Sequence, residues 1–307
     1  MPIHSDIQQA IDRATHLLLV AHRNPDGDTV GSTLALHHAL RAYGKKSTPV
    51  CIDRIPKELG FLPGVERFVD TFHPEDFDAI VVIDCADLEN LTGFYKQYPS
   101  FFSSVPLINI DHHPSNKRFG TYQLVRDTSA ACSVIMYDLL KDFGYSISSD
   151  IATCLLTGIL TDTGGFQHSN TSSEVMRTVA DLLELGAEIE TISAHVFRSK
   201  SVPTLRLWGN VLSSMQSAVD KEVIWSSATQ DMFSETSTSP EQLSGLIALM
   251  YGVPESKATV LLQEREDGKI KGSIRTKNGE DANELAGYFG GGGHKKAAGF
   301  VVRTPKP

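Results

Sequence analysis

The 307-residue chain reads as an α/β protein, a doubly wound and mostly parallel sheet domain followed by a second, smaller α+β domain. Three observations carry this reading. Apolar runs without clean alternation are separated by helix-like segments, the pattern of parallel strands covered on both faces. The helix-like segments stop at Gly44, Gly144 and Gly186, as expected where a left-handed residue follows a helix. Beyond about residue 214 the apolar runs begin to alternate, as in half-buried strands.

In order along the chain, HLLLVAH (16–22) is a buried strand and 29–44 a helix ending at Gly44. STPVCID (47–53), DAIVVIDCAD (78–87) and VPLINIDHHP (105–114) are the next strands. Residues 128–144 and 150–164 are helical, and Thr171 with Glu174 forms a capping-box signature for a helix that ends at Gly186. From 187 to about 213 the pattern stays helical with no obvious sheet partner, and RSKSVP (198–203) is its most linker-like stretch. The expected division is a first domain over 1–190, a helical linker over 191–213 and a second domain over 214–307. In the second domain, KEVIWSSAT and KATVLLQEREDGKIKGSIRT alternate like antiparallel strands, the latter pair turning at E-D-G-K.

Composition narrows the class. With 41% hydrophobic and 21% charged residues, the chain can bury a substantial core without disulfides. A formal charge of -9, from 28 basic and 37 acidic side chains, argues against broad binding to long nucleic acid. A short nucleotide in a local basic pocket stays compatible with it. Cys51, Cys85, Cys132 and Cys154 form no C-x-x-C pair, and three lie in apolar runs. Buried free thiols in a reducing cytoplasm are the expectation. The N-terminus lacks a signal-peptide pattern, and no apolar run reaches the ~18 residues of a membrane span.

The chemistry sits where strands end. His22 ends the first strand, with Asp26 and Asp28 close behind it. Asp84 ends the third strand, Asp111-His112-His113 the fourth, and Asp162 follows a further apolar segment. In a parallel sheet all these ends point one way, toward the crevice where ligands bind. Carboxylates gathered there repel one another, so protons or cations must neutralise some of them. An oxygen-rich set with imidazoles and no sulfur favours Mn²⁺, then Mg²⁺, over zinc. So many ligands suit two cations about 3.5–4 Å apart, the spacing of two-metal phosphatases and nucleases. A lone strand-end Asp, such as Asp53, is more often a turn former. His168 lies six residues past Asp162 and is a candidate substrate contact.

GGGGHKKAAG (290–299) matches neither a Rossmann fingerprint nor a P-loop. Its glycines allow close backbone approach to an anion, and His294, Lys295, Lys296 and Arg275 add positive charge. The competing reading is a flexible hinge before a strand.

Taken together, HRNPDGD, VVIDCAD, DHHP, TDTGGF and GGGGHKKAAG resemble the motifs of the DHH phosphoesterase family with its DHH-associated C-terminal domain. Within that family the size and domain pair are similar to the nanoRNase type. The resemblance implies a phosphoesterase acting on short RNA oligonucleotides (nanoRNA) and 3′-phosphoadenosine 5′-phosphate (pAp). It implies two Mn²⁺, replaceable by Mg²⁺ or Co²⁺, one held by His22, Asp26 and Asp84 and the other by Asp28, His112 and Asp162, with Asp84 bridging. It further implies that Asp111 orients a histidine, that His113 faces the phosphate or leaving group, and that Arg275, Gly292, Gly293 and His294 bind the nucleotide. Expected partners are thus short RNA, pAp or dinucleotides, with neither long nucleic acid nor membrane; a homodimer is a further expectation. Alternatives on the same core are a phosphodiesterase of pApA or cyclic di-AMP, a pyrophosphatase or exopolyphosphatase, and a nucleotide-binding regulator without turnover.

Overall fold

The structure is a computed structural model that describes residues 2–198, 200–218, 222–277 and 279–303, apart from the side chains of Pro2, Asn90, Leu91 and His294. It divides into two units, Met1–Ser199 and Lys200–Pro307.

The first unit runs α1 (Pro2–Arg13), β1 (His16–Val20), α2 (Gly27–Ala42), β2 (Lys46–Val50), β3 (Ala79–Ile83), α3 (Leu88–Leu91), α4 (Pro99–Ser104), β4 (Leu107–Asp111), β5 (Tyr122–Val125), α5 (Cys132–Asp142), α6 (Ser149–Asp162), α7 (Ser173–Glu184) and α8 (Ile189–Val196). Its five strands pair in parallel in the order β2-β1-β3-β4-β5. Successive strand residues point to opposite faces. Leu17, Leu19, Val81, Ile83, Ile108 and Ile110 enter one core with α1, α2 and α5 to α8. Leu18, Val20, Ile80 and Val82 enter another, which contains Phe72, Phe94, Phe101 and Phe102. Burial on both faces is why these strands do not alternate in sequence, and the doubly wound α/β expectation holds. Each such buried side chain contributes about 1.5–3 kcal/mol through apolar surface removed from water. The strand order changes direction between β1 and β3, and the crevice beyond their carboxyl ends is the topological switch point.

Two helices of the first core approach unusually closely. A Cβ on Gly31 of α2 would sit 2.3 Å from the Cys154 carbonyl oxygen of α6. A Cβ on Gly158 of α6 would meet Ser133 Oγ at 2.0 Å and Asp28 Oδ1 at 2.5 Å. Only glycine allows this approach, and it brings Asp28 and Asp162 to the same place.

Several local features differ from expectation. The helix α1 and the strand β5 were not anticipated. Ile7, Ala10 and Ile11 give α1 a helical stripe that is buried in the first core. The β5 segment, YQLV, is a short half-buried edge strand with only Leu124 fully buried. The cap of α7 is Ser172, whose side chain accepts from Val175 N–H at 3.3 Å, rather than Thr171. Among the described residues Thr171 Oγ1 finds no hydrogen-bond partner, and Ser172 is the residue with extended backbone directly before the first helical turn.

The second unit runs α9 (Val202–Ser213), β6 (Gln216–Ala218), β7 (Val223–Ala228), α10 (Gln230–Thr236), α11 (Leu246–Met250), β8 (Ala258–Glu264), β9 (Lys269–Thr276), α12 (Ala282–Gly287), β10 (Gly292–His294) and β11 (Ala297–Arg303). Its sheet order is β10-β11-β9-β8-β7-β6. The hairpin at E-D-G-K joins β8 to β9 as expected. However, β7 pairs with β8 in parallel, not antiparallel. The connection between them carries α10 and α11, which is the crossover a parallel pair requires. The segment 191–213 is helical and divided: α8 seats Ile192 in the first core, while α9 seats Leu207 and Val211 in a core of the second unit.

Candidate metal centre

The crevice at the switch point collects side chains from five places in the chain. His22 follows β1, and Asp26 caps α2 by accepting from Asp28 and Thr29 N–H at 3.0 Å each. Asp28 lies in the first turn of α2 and is fully buried. Asp84 follows β3, His112 and His113 follow β4, and Asp162 ends α6.

Distances define a chain of near neighbours. His22 Nε2 lies 3.5 Å from Asp84 Oδ2 and 4.0 Å from Asp26 Oδ1. His112 Nε2 lies 3.5 Å from Asp84 Oδ1, 3.2 Å from Asp162 Oδ2 and 3.9 Å from Asp28 Oδ2. Among the described residues, three groups have potential ligand atoms within 4.8 Å of one another: His22–Asp26–Asp84, Asp28–His112–Asp162 and Asp84–His112–His113. All six side chains expected to ligate metal are therefore brought together, with Asp84 and His112 each belonging to two groups.

The imidazoles are oriented from behind. His22 Nδ1 lies 2.7 Å from the Arg23 carbonyl and His112 Nδ1 lies 3.2 Å from that of Ser129. Carbonyls only accept, so each neutral ring carries its proton on Nδ1 and turns the lone pair of Nε2 toward the carboxylates. Asp28 is satisfied by backbone: Cys132 N–H donates to Oδ2 at 2.6 Å and Ser133 N–H to Oδ1 at 2.9 Å. These are the first amides of α5, a helix whose own cap residue Ala131 makes no side-chain cap. Asp28 thus takes the N-terminal end of α5 from more than a hundred residues away.

Asp84 is different. Its backbone stands in the left-handed region at φ 55, its side chain is 2% exposed, and Oδ1 has no hydrogen-bond partner among the described residues. Burial, then the charges of Asp28 and Asp26, push its pKa well above the ordinary carboxylate range. Burial followed by Asp28 and Asp84 does the same to Asp162, and burial raises Asp28. A buried carboxylate oxygen without a donor, amid oxygen and imidazole nitrogen ligands, is what a divalent cation would satisfy. The residues present therefore fit Mn²⁺ or Mg²⁺, and no thiolate is among them.

Asp111 is in none of the three groups. It is fully buried; its Oδ1 accepts from His113 Nδ1 at 2.7 Å and its Oδ2 from Asn116 Nδ2 at 2.6 Å. Burial by itself would raise its pKa, but the hydrogen bond and charge of His113, with Asn116 and a backbone amide, bring it below the ordinary value. In return the Asp111 hydrogen bond raises the pKa of His113. Asn116 also reaches Asn109 Oδ1 at 2.9 Å, a support the sequence reading missed. The P-S-N spacing after the histidines held no signal for it. Asp53, set aside earlier as a turn former, accepts from Asn24 N–H at 2.9 Å.

The remaining candidates lie apart from these groups. His168 is exposed, and its Nδ1 lies 3.1 Å from the Asp162 carbonyl rather than its carboxylate. In the second unit, strand register aligns positions 275, 297 and 294 in one row across β9, β11 and β10. Arg275 is half-buried and donates to the Ile274 carbonyl at 3.0 Å; burial lowers its pKa. The side chain of His294 lies outside the described residues. Gly293 N–H, expected to serve an anion, already donates to Asn283 Oδ1 at 2.9 Å. A Cβ on Gly293 would lie 2.6 Å from Ala298 Cα, so close strand packing is one reason for glycine there. The four cysteines are buried and free, and among the described residues no helix is long and apolar enough to cross a membrane.

Comparison with known proteins agrees with this architecture. The model of the DHH family, N-terminal domain, matches residues 16–159, and that of the DHHA1 domain matches residues 220–306. A Thermus thermophilus protein named bifunctional oligoribonuclease and PAP phosphatase NrnA is 34% identical over 99% of this chain and 88% of its own. A Bacillus subtilis protein of the same name is 26% identical over 93% of this chain and 89% of its own. The crystal structure of an exopolyphosphatase-related protein from Bacteroides fragilis superposes with a TM-score of 0.93 at 26% identity, covering 99% of this chain and 92% of that one. With its fold, its strand-end motifs and both domain matches in agreement, the chain belongs to the DHH family and carries a DHHA1 domain.

Proposed function

We propose that the chain is a metal-dependent phosphoesterase that hydrolyses short oligoribonucleotides and pAp. The carrying observation is the linked set His22–Asp84–His112–Asp162 at the switch point, with a donorless buried oxygen on its central carboxylate. The names of the Thermus thermophilus and Bacillus subtilis relatives support this substrate class.

In this reading His22, Asp26 and Asp84 would hold one cation and Asp28, His112 and Asp162 the other, with Asp84 within reach of both. Two bound divalent cations, Mn²⁺ foremost, would neutralise the carboxylates, polarise a phosphoryl group and lower the pKa of an attacking water. The chain's own residues do the rest. Asp28, fixed by the α5 amides, and Asp162, fixed by the α2–α6 contact, set the width of the site. His113 donates Nδ1–H to Asp111, so its Nε2 is free to give a proton to the departing sugar oxygen as the phosphorus–oxygen bond breaks. Asp111 keeps that imidazole protonated to higher pH, as a general acid requires. Arg275, with no carboxylate partner among the described residues, offers a guanidinium to a nucleotide phosphate, beside Gly292, Gly293 and His294.

A substrate panel with Mn²⁺-loaded protein tests this: pAp, RNA of two to five nucleotides, pApA, cyclic di-AMP and pyrophosphate. Turnover of pAp and short RNA is expected. Turnover confined to pyrophosphate or to cyclic di-AMP, or none at all, overturns the proposal.

A further inference from the structure

A second feature of the first unit lies at the amino ends of β1 and β2, whereas the metal centre follows their carboxyl side. A hollow of about 480 Å³ opens there, lined by Arg41, Lys45, Lys46 and Arg67 together with His37 and Ser47, and no carboxylate among the described residues lines it. This is a concentration of positive charge in a chain of net charge -9.

The cations are available. Arg41 and Lys46 have no carboxylate partner among the described residues. Arg67 Nε lies 3.3 Å from its sequence neighbour Glu66, but both side chains are more than half exposed, and such a pair contributes little. Lys45 Nζ donates to the carbonyls of Asp12 and Ala14 at the end of α1, which holds the ammonium in place without neutralising it. A backbone donor adds to them. On the outer edge of β2, Val69 N–H donates to Pro49 O and Cys51 N–H to Val69 O. Ser47 shares that orientation two residues earlier, so its N–H also faces the open edge.

His37 completes the wall. It is 3% exposed, its Nδ1 lies 2.8 Å from Ser47 Oγ, and its Nε2 has no hydrogen-bond partner among the described residues. Burial first, then the charges of His38, Arg41 and Arg67, lowers its pKa to about 4. The ring is therefore neutral near pH 7, and the charge of the hollow is carried by the four long side chains alone.

We propose that this hollow is a second anion site, separate from the metal centre, which takes a phosphate dianion. Forked guanidiniums and ammonium groups match the several acceptor oxygens of phosphate better than the two of a carboxylate. The volume lies in the range of small-ligand pockets, which leaves room for a nucleoside attached to the phosphate. The proposal does not depend on which ester the metal centre hydrolyses.

The full chain, stripped of divalent metal with EDTA, is titrated calorimetrically with inorganic phosphate and separately with AMP. The His37 imidazole proton signal, assigned by its loss in His37→Gln, serves as the local reporter. Saturable binding that moves this signal is expected. It should weaken about tenfold or more in Arg41→Gln/Arg67→Gln, as removal of two charge-assisted contacts implies, and persist in Asp84→Asn. Tighter binding of AMP assigns a nucleotide as the natural source, and equal binding assigns free phosphate; either supports the site. Titrations of Arg41→Gln/Arg67→Gln that superpose on the wild type overturn it, as does binding that leaves the His37 signal unmoved. The exposed arginines contribute little to folding, and Lys46→Gln gives an independent second variant.

Discussion

Replacing Asp84 with Asn should move stability and activity in opposite directions. The substitution keeps the shape and the left-handed backbone, φ 55, which Asn tolerates and Ala does not. It removes a carboxylate that is 2% exposed and has an oxygen without a donor. The new amide can donate to the Nε2 lone pair of His22 or His112, each 3.5 Å from the present oxygens. Relieving one buried unsatisfied acceptor is worth about 1–3 kcal/mol. For a unit of this size that raises the melting temperature of the metal-free protein by roughly 2–10 °C. Because the folded-state pKa of Asp84 is raised, its favourable contribution is complete below about pH 4 and is lost as pH rises. The advantage of Asp84→Asn in EDTA should therefore grow with pH above that value. Hydrolysis of pAp with Mn²⁺ should fall by about 10³-fold or more, equivalent to about 4 kcal/mol of transition-state stabilisation. The rise in melting temperature on adding Mn²⁺ should shrink too. Thermal melts in EDTA and in Mn²⁺, with a phosphate-release assay, measure all three. A variant that is less stable than wild type in EDTA, or that retains turnover, would refute the reasoning about this carboxylate.

Further outcomes follow from other contacts. Gly158→Ala forces a Cβ against Ser133 Oγ and Asp28 Oδ1, so urea melts should show a loss of about 1–3 kcal/mol, accompanied by reduced turnover. Asn116→Ala removes a 2.6 Å hydrogen bond to Asp111 and should alter the pH profile of kcat more than KM, because His113 is oriented through Asp111. His37 has a folded-state pKa of about 4 against an unfolded value near 6.5, so the unfolded chain binds the extra proton as pH falls. Stability should drop by at most about 3 kcal/mol from pH 6.5 to 4, and His37→Gln should flatten that limb in pH-resolved melts. Cys51 and Cys85 are buried with thiol pKa values pushed up by burial to about 11 and 12, so a thiol reagent should read them only after unfolding.

Strand ends were readable because their apolar runs are buried on both faces and halt abruptly at His22, Asp84 and Asp111. Parallel topology then puts all the ends on one rim, and this made the constellation visible without coordinates. What stayed hidden depended on contacts between distant segments. The amides of Cys132 and Ser133 reach Asp28 from more than a hundred residues away along the chain, and no local pattern announces them. Alternation in β7 and β8 reports half-burial, not direction, so their parallel pairing had to come from the helices between them. Thr171 and Ser172 are both residue types that cap helices, and backbone conformation makes Ser172 the cap. The stripe of Ile7, Ala10 and Ile11 in α1 was legible and went unread. The hollow beside β2 draws its cations from residues 41 to 67, a span with too even a charge distribution to stand out as a motif.

The two buried aspartates at the heart of the site differ in what they ask of the environment. Asp28 is already provided for by the amino end of α5, whereas Asp84 Oδ1 has nothing. The newly made chain can thus complete its packing with Asp28 in place before any cation arrives. Asp84 is then the member with most to gain from capturing one, so maturation of the site would be a separate, later event, governed by cation supply instead of by folding.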